Sequence, residues 1–177
     1  MIALITGASS GIGKEMAKNL ATRGVNLILV ARRTERLLAL KEEIVYNCPE
    51  IKVKTITADL SKEDQCFELY DRVKEYKIDF LFNNAGFGLY GPFLETDLKD
   101  ELSMINVNIK AVHILTKLFL RDFAARNSGY ILNTASVAGF MAGPLLATYY
   151  ATKNYVVQLT KAVYELSLIH ISEPTRH

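Results

Sequence analysis

The chain has few of the residues that carry metal, disulfide or nucleic-acid chemistry. In 177 residues cysteine occurs twice, at Cys48 and Cys66, and histidine three times. Two cysteines so placed offer neither a metal-ligand spacing nor a disulfide framework, so free thiols and no metal site are expected. Lys and Arg number 21 against 19 Asp and Glu. That near balance excludes the basic footprint of a nucleic-acid-binding domain and the charge excess of a disordered chain. No apolar run reaches the length of a membrane span; even Ala111 to Leu120 is broken by His113, Thr116 and Lys117. A basic leader, internal repeats and low-complexity linkers are also absent. The expectation is one cytoplasmic domain with no nucleic-acid and no membrane partner.

What is present is an alternation of apolar runs and amphipathic stretches. Half of the residues are apolar, enough for a sizeable core. Runs at Ile2 to Ile5, Asn26 to Val30, Phe80 to Phe82 and Tyr130 to Thr134, and the β-branched alternation of Val53 to Ala58, read as strands. Helical patterns lie between them at Lys14 to Leu20, Glu35 to Tyr46, a stretch capped by Ser61 with Asp64, Leu98 to Ala125, and Ala147 to about Glu165. Strands alternating with helices predict an α/β fold with a doubly wound parallel sheet. Reversal of strand order after strand one would open a ligand crevice at the carboxyl ends of strands one and four.

The first turn, Thr6-Gly7-Ala8-Ser9-Ser10-Gly11-Ile12-Gly13, joins a buried strand to a helix. A helix start in such a turn presents unpaired N–H groups and the positive end of its dipole to a phosphate. Gly7 turns the chain off the strand, Gly11 leaves room for a pyrophosphate and Gly13 allows close helix–strand packing. The turn lacks what a triphosphate-binding loop needs: Ala8 stands where glycine is required, and Glu15 where Ser or Thr should follow Lys14. A dinucleotide turn of the form TGxxxGxG remains. The end of the second strand lacks the acid that would bind a free ribose 2′-hydroxyl and carries Arg32 and Arg33 instead. That pair favours NADP, the alternative being a solvated helix start. Asp59 is suited either to accept from an adenine amino group or to cap a helix.

Tyr149 and Lys153 lie four residues apart on a predicted helix and so share a face. A neighbouring ammonium favours phenolate and makes a tyrosine a usable general acid–base. Ser136, just past strand five, would sit at the sheet's carboxyl edge near Tyr149. Asn108, in the apolar stretch Ile105 to Val112, needs buried partners, and a proton-relay water is one candidate. Phe87, Tyr90, Phe140 and Met141 are placed near the mouth as an apolar pocket.

Together, Thr6-Gly7 through Gly13, Asp59-Leu60, Asn83-Asn84-Ala85-Gly86, Val107-Asn108-Ile109, Ser136 and Tyr149-Tyr150-Ala151-Thr152-Lys153 resemble the short-chain dehydrogenase/reductase family in its compact branch. Ser10 disfavours the extended branch, whose turn is TGxxGxxG. The resemblance implies a Rossmann-like fold and reversible hydride transfer between a nicotinamide and a carbonyl or alcohol substrate. Tyr149 would protonate the carbonyl oxygen, Ser136 orient it, Lys153 lower the tyrosine pKa and Asn108 hold a relay water. The cofactor, NADP, would lie against Thr6, Gly7, Ser9, Ser10, Gly11, Ile12, Gly13, Arg32, Arg33, Asp59, Leu60, Asn84, Ala85 and Gly86, with Tyr149 and Lys153 at its reactive end. A homo-oligomer is implied for the full-length form. A non-catalytic dinucleotide sensor or scaffold, or an inactive fragment of the enzyme, is the alternative.

The resemblance covers residues 1–165. It implies further C-terminal strands and a substrate-covering segment, which the sequence lacks. Residues 166–177 resemble the translation of an adapter used in DNA sequencing libraries, and a non-native tail is expected there. A chain ending so is expected to leave strand five as an open sheet edge, to hold the acid–base pair loosely and to be a poor, aggregation-prone enzyme.

Overall fold

Five strands, β1 (Ile2–Thr6), β2 (Asn26–Ala31), β3 (Val53–Thr57), β4 (Phe80–Asn83) and β5 (Tyr130–Asn133), form one parallel sheet in the order β3-β2-β1-β4-β5. The computed structural model describes the backbone of residues 1–172 and the side chains of residues 1–165. The central strands are apolar on both faces because both faces are covered. Ala3 and Ile5 of β1, with Leu27 and Leu29 of β2, pack into one core. Leu4, Ile28, Val30 and Leu81 pack into the other. Leu4 and Ile5 are fully buried, and side chains of that size contribute about 1.5–3 kcal/mol each on burial.

Helices α1 (Gly11–Thr22) and α2 (Thr34–Asn47) supply buried residues to the first core. Helices α3 (Glu63–Val73) and α5 (Val112–Ala125) cover the second. The expected Ser61 cap is not formed. Helix α3 starts after Lys62 with no side-chain cap, because Ser61 gives its N–H and its hydroxyl to Asp59 Oδ1, at 3.1 and 2.8 Å.

The predicted helix from Leu98 to Ala125 divides in three. Helix α4 (Leu98–Ile105) is capped by Asp97, whose side chain accepts from the N–H groups of Lys99 and Asp100. A π-helical turn (Asn106–Ala111) then leads into α5. This widening falls where Asn108 turns inward to polar partners. Helix α6 (Ala147–Ser172) runs past the expected end near Glu165. The side chains of the tail at 166–177 lie outside the described residues. Among the described residues nothing pairs beyond β5, whose Tyr130 and Leu132 are exposed.

Candidate active site

Strands β1 and β4 are neighbours in the sheet, yet the chain visits β2 and β3 between them. Loops after β1 and β4 therefore diverge to opposite sides, and a crevice opens at their carboxyl ends. A cavity of about 1000 Å³ lies there. All five strand ends line it: Gly7, Ser9, Ser10, Gly11 and Ile12 after β1, Arg32 and Arg33 after β2, Asp59 and Leu60 after β3. Asn84, Ala85 and Gly86 follow β4, Ser136 follows β5, and Tyr149 and Lys153 come from α6. Thr6, Gly13 and Asn108 support the cavity from behind and do not line it.

At the first turn, Gly11 has φ +55°, a left-handed conformation that favours glycine, and a Cβ added there would meet nothing within 4 Å. Space above it stays open. At Gly13 the constraint is crowding, since a Cβ would stand 2.5 Å from the Gly7 carbonyl oxygen and from Asn84 Nδ2. Thr6 is buried. Its Oγ1 donates to the Phe82 carbonyl at 3.3 Å and accepts from the N–H groups of Asn84 and Ala85, both at 3.0 Å. Asn84 Nδ2 donates back to the Thr6 carbonyl at 3.2 Å. Hydrogen bonds within the chain thus fix the turn against the end of β4.

Helix α1 has no acid in its first turn, and its N-cap Ser10 makes no side-chain cap. Arg33 uses the two serines instead: its Nη2 donates to Ser9 Oγ at 3.1 Å and Ser10 Oγ at 2.9 Å. The result is a guanidinium, two hydroxyls and a helix start with no side-chain cap, facing one space. Such a set suits phosphate groups. Asp59, the one carboxyl in the lining, turns Oδ1 toward Ser61.

The other end of the cavity holds the titratable pair. Lys153 is 6% exposed, and its Nζ donates to the Thr134 carbonyl at 2.8 Å. Burial pushes its pKa below the ordinary lysine value. The ammonium stands 5.8 Å from the Tyr149 ring centroid. Tyr150 packs over Gly143, where a Cβ would come within 2.6 Å of its ring, and does not line the cavity. Ser136 Oγ accepts from the Ala138 N–H at 3.2 Å, leaving its own hydrogen for another acceptor. Asn108, 1% exposed, clamps the backbone of Phe87: Nδ2 donates to the carbonyl at 2.9 Å and Oδ1 accepts from the N–H at 3.1 Å. Nδ2 also donates to Thr152 Oγ1 at 3.0 Å.

Of the four residues placed at the mouth, only Phe87 lines the cavity. Tyr90, Phe140 and Met141 are more than 60% exposed. Phe140 and Met141 lie at the end of a 3-10 turn (Val137–Phe140). Sequence reasoning missed Thr134 and Thr152. The first acts through its carbonyl, which any residue type supplies, and the second stands inside the Tyr149–Lys153 motif, which by itself gives it no role. Among the described residues no group of three His, Cys, Asp or Glu could hold a metal, and no helix is long and apolar enough to cross a membrane.

Residues 1–168 match the family model described as short chain dehydrogenase. A very-long-chain 3-oxoacyl-CoA reductase from Coccidioides immitis is 37% identical over 165 residues, covering 91% of this chain and 47% of the relative. This chain spans about half the length of the first curated relatives it matches. A bulky-bulky ketone specific alcohol dehydrogenase from Comamonas testosteroni superposes with TM-score 0.89 at 34% identity, over 94% of this chain and 67% of that one. A Sphingobium yanoikuyae short-chain dehydrogenase in complex with NADPH gives 0.89 at 34% identity, over 94% and 65%. One from Burkholderia phymatum in complex with NAD gives 0.85 at 32% identity, over 93% and 59%.

Proposed function

Because the chain belongs to the short chain dehydrogenase family, we propose that it is an NADP-dependent oxidoreductase acting on a carbonyl or alcohol substrate. The observation that carries the reading is that one cavity joins two unlike ends. Arg33 over Ser9 and Ser10 lies at one, and Ser136, Tyr149 and Lys153 at the other. The residues fit a dinucleotide: the space over Gly11 is open, and the α1 start has no side-chain cap. Gly7 through Gly13 and Asn84 through Gly86 would hold its phosphates and riboses, and Arg32 and Arg33 its 2′-phosphate. When bound, the nicotinamide supplies the hydride that a protein side chain cannot.

The chain's own residues handle the proton and the geometry. Tyr149 gives its hydroxyl proton to the carbonyl oxygen, and Ser136 holds that oxygen by a hydrogen bond. Lys153, fixed by Thr134, stabilises the negative charge developing on the phenol oxygen. Asn108 holds Phe87 and Thr152 in place, and its Oδ1 retains acceptor capacity for a relay water. A bulky, apolar carbonyl compound is the proposed substrate class, on the strength of Phe87 in the lining and the printed activities of the relatives from Coccidioides and Comamonas.

Fluorescence titration with NADPH and NADH, followed by turnover of bulky ketones, tests this reading. Tighter binding of NADPH and its consumption with a ketone are expected. Equal affinity for both would contradict the NADP assignment, and binding without turnover would favour a dinucleotide sensor or scaffold, or an inactive fragment of the enzyme.

A further inference from the structure

Glu101 lies in the first turn of α4, is 7% exposed, and takes no part in the cavity lining. A buried carboxyl group needs partners, and this one has two from different parts of the chain. Thr96 Oγ1 donates to Oε1, and Thr148 Oγ1 donates to Oε2 at 3.1 Å. Thr96 ends the loop that follows β4, and Thr148 immediately precedes Tyr149 in α6. The Gly91 N–H donates to the Leu145 carbonyl at 2.9 Å and adds a second tie between the same two segments.

Asn108 makes a parallel arrangement farther along the same helical stretch. It holds Phe87, at the start of that loop, and Thr152, next to Lys153. The loop is therefore pinned at its two ends, by Asn108 at Phe87 and by Glu101 at Thr96. The same two side chains grip α6 on either side of Tyr149, through Thr148 and Thr152. Between the pins, Gly88 lies against the Tyr149 ring, where a Cβ would be 3.3 Å from Cδ2.

We propose that Glu101 is a positioning residue: its clasp of Thr96 and Thr148 locks the loop after β4 to the start of α6 and thereby fixes Tyr149 in the cavity. This rests on Tyr149 being the acid–base. Loss of the clasp frees both segments at once, and misplacement of a reacting group by ~1 Å costs on the order of a hundredfold in rate.

The test compares Glu101→Leu, Thr148→Val and Glu101→Gln. Gln can still bond both hydroxyls, since a hydroxyl accepts as well as donates. Three quantities are measured: kcat with a bulky ketone, NADPH affinity by fluorescence, and amide hydrogen exchange. Glu101→Leu and Thr148→Val should each lower kcat by about ten- to a hundredfold. They should also speed exchange in residues 87–97 and 147–153 together, with NADPH affinity and exchange in β1 unchanged. The double variant should be no worse than Glu101→Leu, and Glu101→Gln should recover most of the activity and the slow exchange. Unchanged kcat and exchange in Glu101→Leu would overturn the proposal. So would loss of NADPH affinity and of protection in β1 alongside kcat, which marks general unfolding, or a Gln variant as impaired as Leu. A wild-type protein without turnover would count against the catalytic reading. Exchange in the two segments would then still decide whether the clasp exists.

Discussion

Lys153 Nζ and the carbonyl oxygen of Thr134 stand 2.8 Å apart, and this hydrogen bond fastens α6 to the end of β5. Its donor is a buried ammonium in a site with one obvious acceptor, so burial lowers its pKa from the ordinary 10.5. Between the lowered folded-state value and 10.5 the unfolded chain binds the proton more readily, and stability rises with pH in that window. Below the lowered value the whole penalty is present. Lys153→Met removes the charge, so the stability of this variant relative to wild type should fall as pH is raised toward 10.5. Parallel urea denaturation across that range checks it, and a pH-independent difference would contradict the burial effect. Turnover should be lost at every pH.

Tyr149 and Tyr150 are adjacent in sequence but separate in space. Tyr149→Phe should reduce turnover by about 10²–10⁴-fold, the usual scale of a lost acid–base group, with NADPH binding retained. Tyr150→Phe should be mild, because its ring packs on Gly143 outside the cavity. Equal losses would defeat the assignment.

Arg32 and Arg33 should decide cofactor choice. Replacing both with Ala should weaken NADPH by about one to two decades, the equivalent of roughly 1.5–3 kcal/mol for a hydrogen bond to a charged group. NADH should be little affected. Titration of both nucleotides reads the difference directly.

Burial predicts a contrast between adjacent strands. Leu81 in β4 is fully buried, whereas Leu132 in β5 is 45% exposed. Leu81→Ala should cost about 2–5 kcal/mol, and Leu132→Ala well under that, by denaturant midpoint.

Most of the fold was legible because the strands read as apolar runs, or in β3 as a β-branched alternation, between helical patterns. Leu4 and Ile5 point to opposite faces and both are buried, as a sheet covered on both faces requires. The phosphate turn was legible because glycine spacing is a backbone requirement visible in one letter. Other features depend on who the neighbours are. Ser61 carries a cap residue's chemistry, yet Asp59 is two residues away and captures its hydroxyl. The π-helical turn at Asn108 answers to Phe87 and Thr152, which no local pattern announces. Glu101 reads as an ordinary surface acid near a helix start until Thr96 and Thr148 arrive from elsewhere in the chain.

The most direct measurement is the fate of deuterium when the protein reduces a bulky ketone with NADPH deuterated at its transferable position. The product alcohol should carry deuterium on the former carbonyl carbon, and Tyr149→Phe should slow its formation by about 10²–10⁴-fold while still binding NADPH. Product without label from a protein that binds NADPH, or labelled product formed by Tyr149→Phe at the wild-type rate, would contradict the assignment of this cavity as a hydride-transfer site served by Tyr149.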